Sequence, residues 1–250
     1  MLRELVKSCK PLPPKSKLLI LGGGYSGQHL AALTRALGSE VICSRRAINK
    51  PGADIVFDSS TKSFTDNSDL KNITHLVSCI PPESNGTDPV LSLLNDELDK
   101  MPLSWVGYLS TTGVYGDCKG GWVEEKDIPN PQQERSKRRL ACEQAWQKTG
   151  FPIQILRLPG IYGPGRSAID NLKKGNKKMV DKPNQVFSRI HVDDIVGAIV
   201  HLINLANEGV RPQIINISDN LPTSNIEVMK FAATLTGDRL PQPESFEKAS

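Results

Sequence analysis

Gly22, Gly24 and Gly27 interrupt the run Lys17-Leu-Leu-Ile-Leu-Gly-Gly-Gly-Tyr-Ser-Gly-Gln-His-Leu30, where an apolar stretch breaks into glycine and restarts with helical spacing at Leu30, Leu33 and Leu37. G-x-G-x-x-G between a strand and a helix is the spacing of a dinucleotide-binding turn. The first glycine permits the tight turn, the second lets backbone approach a pyrophosphate, and the third lets the helix pack closely on the strand. Phosphates then sit on the helix N-terminus, beside Tyr25 and Ser26, where unpaired N–H groups and the dipole favour negative charge. About 20 residues further on, such a site meets the adenosine ribose. An acidic residue there accepts the 2′-hydroxyl of NAD, but this chain has Ser44, Arg45 and Arg46. Guanidinium binds phosphate through paired, charged hydrogen bonds, which suits the 2′-phosphate of NADP. NAD is the alternative cofactor, and a solvated basic turn the alternative reading. Asp58 is placed either to hydrogen-bond the adenine or to cap the turn after it. Ile80 and Pro81, at the end of a later apolar run, are also expected at the cofactor.

The elements that must position these groups alternate between apolar strand-like runs and amphipathic stretches, the pattern of a parallel sheet with helices on both faces. Strands are predicted at residues 17–21, 40–44, 55–58, 75–80, 105–110, 152–158 and 213–217, and helices at 26–37, 90–98, 135–148, 192–207 and 224–235. The fold class is therefore α/β, a Rossmann-type doubly wound sheet. One core fits a chain of 250 residues with 38% hydrophobic content. Residues 1–16, with Pro11, Pro13 and Pro14, read as a frayed leader without a signal-peptide core. Residues 17–250 read as a single nucleotide-binding domain, with a small substrate lobe from about 160–190 and 212–250. No apolar run reaches the roughly 18 residues that span a bilayer. The five cysteines are scattered without metal-ligand spacing, which predicts reduced thiols and a cytoplasmic protein. A net charge of +4 is too slight to point to nucleic acid.

Four further segments resemble the extended or atypical short-chain dehydrogenase/reductases, in the NAD(P)-dependent epimerase/dehydratase group. Leu109-Ser-Thr-Thr-Gly-Val-Tyr-Gly116 is similar to the family's S-S-x-x-V-Y-G, and Ile155-Leu-Arg-Leu-Pro-Gly-Ile-Tyr-Gly-Pro-Gly165 to its L-R-x-x-x-x-Y-G-P-G. Ser188-Arg-Ile-His-Val-Asp-Asp-Ile195 is similar to its I-H-V-x-D segment, and Ile215-Asn-Ile-Ser218 to its late strand. The resemblance runs from residue 17 to about 237. Family members commonly run longer, so the lobe is expected to be small or truncated. In that family a Ser or Thr acts with Tyr-x-x-x-Lys, the tyrosine exchanging a proton while NAD(P) takes or gives hydride.

Counting back from Val114, the resemblance places the hydroxyl on Thr111. Aligned through Glu143, the Tyr and Lys positions fall on Arg135 and Arg139. Aligned instead through Ser136-Lys137, the lysine is kept and the tyrosine position becomes Gln133. No alignment supplies a tyrosine, and Tyr115-Gly-Asp-Cys-Lys119 is a decoy because Gly116 breaks the helical spacing. Arginine stays protonated and is a poor acid/base, yet it clamps a phosphate or a developing oxyanion well. Arg135 and Arg139 thus read either as an anion clamp or as part of a basic surface helix. Lys173, Lys174, Lys177 and Lys178 read as a solvated run or as sugar-nucleotide contacts. Arg189 is within the range of roles that includes a phosphate ligand, Arg157 is expected to hold a buried carbonyl or carboxylate, and His191 is expected to be structural.

Two functions follow. One is an NADP-dependent oxidoreductase or epimerase-like enzyme on a nucleotide sugar or another small hydroxy or keto compound. The other is a dinucleotide-binding sensor or regulator that has lost the chemistry with the tyrosine.

Overall fold

The computed structural model describes residues 2–64, 68–175, 179–181 and 185–245. Strand β1 (Lys17–Leu21) lies inside the sheet, with Leu18, Leu19, Ile20 and Leu21 fully buried. An unbroken apolar run is what a strand covered on both faces requires. Around it stand β2 (Glu40–Arg45), β3 (Ile55–Asp58), β4 (Ser63–Phe64), β5 (His75–Ser78), β6 (Trp105–Thr111), β7 (Ile153–Leu158) and β11 (Ile214–Asn216), in the order β11-β7-β6-β5-β1-β2-β3-β4. Every neighbouring pair is parallel except β3 with β4. Chain order reverses direction between β1 and β5, which opens a crevice at the carboxyl ends of those strands, the switch point where open α/β sheets bind ligands.

Helices α2 (Tyr25–Ala36) and α6 (Val192–Asn207) cover one face, sharing a core of Leu30, Leu33, Ile195, Ile199 and Ile203. Helices α3 (Pro89–Leu98) and α4 (Glu134–Gln147) cover the other, packing Leu94, Leu98, Cys142 and Trp146 on the sheet. The leader is not frayed. Residues Leu2–Ser8 form α1, and Leu5, Val6 and Cys9 pack against the core beneath α2 and α6; the prolines begin only after that helix has ended. The strand predicted to reach residue 80 stops at Ser78, so Cys79 and Ile80 line the crevice.

Beyond the end of β7 lies a second, smaller group of elements. Strand β8 (Gly160–Tyr162) pairs in parallel with β10 (Arg189–His191), and β9 (Val180–Asp181) with β12 (Glu244–Ser245). Helices α5 (Ala168–Lys173) and α7 (Asn225–Thr236) pack through Leu172, Ala232 and Ala233. Ser224 and Glu227 close a reciprocal capping box that starts α7. Residues 213–217 mostly extend the main sheet as β11, so only the chain after them joins this group. No described helix is long and apolar enough to cross a membrane.

Candidate active site

The turn between β1 and α2 gives each of its glycines a separate reason. Gly22 has φ +94°, and a Cβ there would lie 2.8 Å from Ile80 Cγ1 and 3.2 Å from the Cys79 carbonyl carbon. A Cβ on Gly27 would lie 2.4 Å from the Gly22 carbonyl oxygen, so close helix–strand contact demands that glycine. Gly24 differs. Its φ of −75° and ψ of −153° suit any residue, and a Cβ there would meet only the Gly22 oxygen, 4.0 Å away. Neither conformation nor packing requires glycine at 24, and the open space lies against the first turn of α2, which no side chain caps. That is the cradle a pyrophosphate needs, so the residues fit a dinucleotide.

The end of β2 is tied into the same turn. Gly22 N–H donates to Ser44 Oγ at 3.0 Å, Gly23 N–H donates to the Ser44 carbonyl at 2.7 Å, and Arg45 Nη1 donates to the Gly23 carbonyl. Cys43 and Cys79 flank the turn, and burial pushes their thiols up to about 11 and about 12, so both line it as neutral groups. Arg46 is exposed. Asp58, at the end of β3, accepts from Ser60 N–H at 3.1 Å and from Ser60 Oγ at 2.8 Å, the turn-capping alternative of its two expected roles. Those bonds, and after them the Arg46 charge, hold its carboxyl below the ordinary range. Ile80 is half-buried against Gly22 and Pro81 is exposed beside it.

On the far side of the crevice, β6 ends at Thr111, half-buried, with Oγ1 accepting from Gly113 N–H at 3.1 Å. Helix α4 brings Arg139 back against the strand. Its Nη1 donates to the Leu109 carbonyl at 2.8 Å and to Tyr108 Oη at 3.4 Å, and the guanidinium carbon stands 5.6 Å from the Tyr108 ring centroid. Its charge reaches Cys79 in the crevice. Arg135, one turn earlier, is exposed and donates from Nε to Gln133 Oε1 at 2.8 Å. Tyr115 is buried, donating to Asn216 Oδ1 at 2.8 Å beneath the Arg157 guanidinium, and Lys119 lies in the loop with φ +53°. The pair is not helical, as the decoy reading holds.

A buried network holds α4 in place. Arg157 on β7 donates from Nη2 to Glu143 Oε2 at 2.7 Å and from Nε to Glu143 Oε1 at 3.2 Å, and Ser110 Oγ donates to the same carboxylate. The carboxylate expected for Arg157 is therefore Glu143. Arg189 is taken up within the small group of elements, donating to the carbonyls of Phe187 and Thr223 and to Asn225 Oδ1. His191 caps α6, accepting from Asp193 N–H at 3.1 Å. Tyr25 joins the two parts of the molecule: its hydroxyl donates to the Pro164 carbonyl at 3.1 Å, and Arg166 stands 5.6 Å over its ring. Gly23, Tyr25's partners in the 163–166 turn and the inward path of Arg45 carry no sequence signal short of the fold itself. Lys173 and Lys174 are exposed, while Lys177 and Lys178 lie outside the described residues.

A glycine turn and an uncapped helix at the switch point of a parallel sheet define a Rossmann-type nucleotide-binding protein. The model of the NAD dependent epimerase/dehydratase family matches residues 18–218, and the chain belongs to that family. It is similar to a functionally unknown conserved protein from Silicibacter pomeroyi DSS, at 35% identity and TM-score 0.81, over 94% of this chain and 83% of that one. Protein YeeZ of Escherichia coli K12 is 28% identical over 210 residues, 77% of this chain and 75% of YeeZ. The UDP-N-acetylglucosamine 4-epimerase of Bacillus cereus shares the fold, with TM-score 0.73 and 20% identity over 92% of this chain and 86% of that one.

Proposed function

We propose that this protein is an NADP-dependent epimerase-like or oxidoreductase enzyme that acts on a small anionic hydroxy or keto compound, with a nucleotide sugar as the leading class. The observation that carries the cofactor reading is Gly24, a glycine that the protein's own conformation and packing do not need. The N–H groups of the first turn of α2, Tyr25 and Ser26 among them, bind the pyrophosphate. Arg46 meets the 2′-phosphate, with Ser44 and Arg45 holding the glycine turn behind it, and Asp58, Ile80 and Pro81 border the cofactor. A second guanidinium where NAD sites carry an acid favours NADP over NAD. When bound, the cofactor supplies hydride transfer at its nicotinamide.

Thr111 Oγ1 spends a lone pair on Gly113 N–H, which leaves its proton free to donate to a substrate oxygen at the carboxyl edge of β6. Arg139 and Arg135 present fixed positive charge on the α4 side. They hold a phosphate or carboxylate and stabilise an oxyanion as it develops, without themselves giving up a proton. Proton transfer then runs through the Thr111 hydroxyl, a water or the substrate. One observation favours the second reading, a sensor without turnover: Arg139 is already bonded to the Leu109 carbonyl, and α4 carries no phenol. The deciding experiment incubates the protein with 4-deuterated NADPH and a panel of keto sugars, and with NADP⁺ and nucleotide sugars or hydroxy acids deuterated at the carbinol carbon. Deuterium passing between nicotinamide and substrate in either direction, or a sugar converted to its epimer, supports the enzyme. Saturable binding without transfer across the panel supports the sensor, and no binding refutes both.

A further inference from the structure

We propose that Arg45 and Arg46 divide their work: Arg45 is a positioning residue of the glycine turn, and the discrimination for the 2′-phosphate rests on Arg46. This deepens the NADP reading above and depends on it. The two arginines are adjacent in sequence but stand in different environments. Arg45 ends β2, paired with Val56 of β3, and its side chain folds back across the turn. Its Cδ lies 2.8 Å from where a Cβ of Gly23 would be, and its Nη1 donates to the Gly23 carbonyl. The same peptide unit sends Gly24 N–H to the Gly22 carbonyl at 2.7 Å. Together these bonds turn the Gly23 oxygen toward β2. Were that peptide to rotate, an acceptor oxygen would swing toward the anion cradle and repel the phosphates it should admit. Arg45 thus protects a part of the site that NADH and NADPH share.

Arg46 follows the strand's last residue and is exposed. Among the described residues it makes no hydrogen bond or ion pair, and its charge is felt at Asp58, at the end of the neighbouring strand β3. All its donors remain available for the group that distinguishes the two cofactors. Arg45 has Nη1 committed and its stem packed against Gly23. The division follows from where each guanidinium is already engaged.

The test is calorimetric titration of NADPH and NADH into the wild type, Arg45→Ala, Arg45→Lys and Arg46→Ala, with circular dichroism on each sample. Arg45→Ala is expected to weaken both cofactors by the same factor, about tenfold or more, the range for losing a hydrogen bond from a charged group. Arg45→Lys, which keeps a donor for the Gly23 carbonyl, recovers part of both losses. Arg46→Ala weakens NADPH about ten- to a hundredfold and leaves NADH where it was. Selective loss of NADPH in Arg45→Ala, or unchanged binding of both cofactors in that variant, overturns the division alone. A wild type that binds neither cofactor overturns the NADP reading and the division together.

Discussion

Removing either member of the Glu143–Arg157 pair should destabilise the protein far more than removing both. Each side chain is almost fully buried, at 1% and 3% exposure, and the carboxylate also accepts from Ser110. Glu143→Met leaves a guanidinium in the core whose remaining partner is the Tyr115 ring, 4.8 Å below it. Breaking a buried pair costs about 3–5 kcal/mol, and the cation–π contact, present before and after the change, does not offset it. A loss of about 3–5 kcal/mol is expected, which lowers the melting temperature by about 6–20 °C at about 2–4 °C per kcal/mol for a chain of this size. Arg157→Met leaves a buried carboxylate and costs a similar amount. The double variant, with apolar groups of comparable length, should recover at least about 2 kcal/mol of the summed loss. Chemical denaturation of all four proteins measures this coupling directly. Single losses below about 1 kcal/mol, or a double variant equal to the sum of the singles, refute the claim that this pair locks α4 against β7 and so aims Arg139 at the crevice.

Gly27→Ala forces a methyl to within 2.4 Å of the Gly22 oxygen, and overpacking against backbone should cost about 1–3 kcal/mol, seen as a lower melting temperature even without cofactor. Acid weakens the fold through His75, whose burial lowers its pKa to about 4. Below about 6.5 the unfolded chain takes up a proton that the folded chain refuses, so stability is full above that pH and falls as pH drops towards 4. The loss by pH 4.5 is about 2–3 kcal/mol in urea titrations, and His75→Gln should abolish that part; an unchanged pH slope in the variant contradicts it. Thr111→Val should lower turnover about a hundredfold or more while cofactor affinity holds. Tyr115→Phe should cost about 1 kcal/mol of stability and leave turnover intact, and the reverse pattern would place the chemistry elsewhere.

The main sheet was legible because its strands are continuous apolar runs and its helices amphipathic ones, and the burial of Leu18 to Leu21 is the physical cause of that signal. Helix α1 was not, since seven residues carry too few turns for periodicity, and what orders them is packing by Leu5 and Val6. In the site, the roles of Gly22 and Gly27 could be read from spacing because strand–turn–helix geometry is local. The direction of Arg45 could not, because whether a side chain at a strand's end reaches outward or folds across a neighbouring turn depends on the Gly23 carbonyl beside it. Glu143 as the partner of Arg157 needed two elements brought together from 14 residues apart in sequence.

The central claim is that a dinucleotide lies on the glycine turn, and titration of NADPH into the wild type and Gly24→Val tests it most directly. The wild type should bind one equivalent saturably. Gly24→Val should bind none, while its circular dichroism matches the wild type and its melting temperature stays within about 4 °C, the range expected for a poorer helix N-cap alone. Undiminished NADPH binding by Gly24→Val would contradict the account, because the space above Gly24 would then be doing nothing for the ligand.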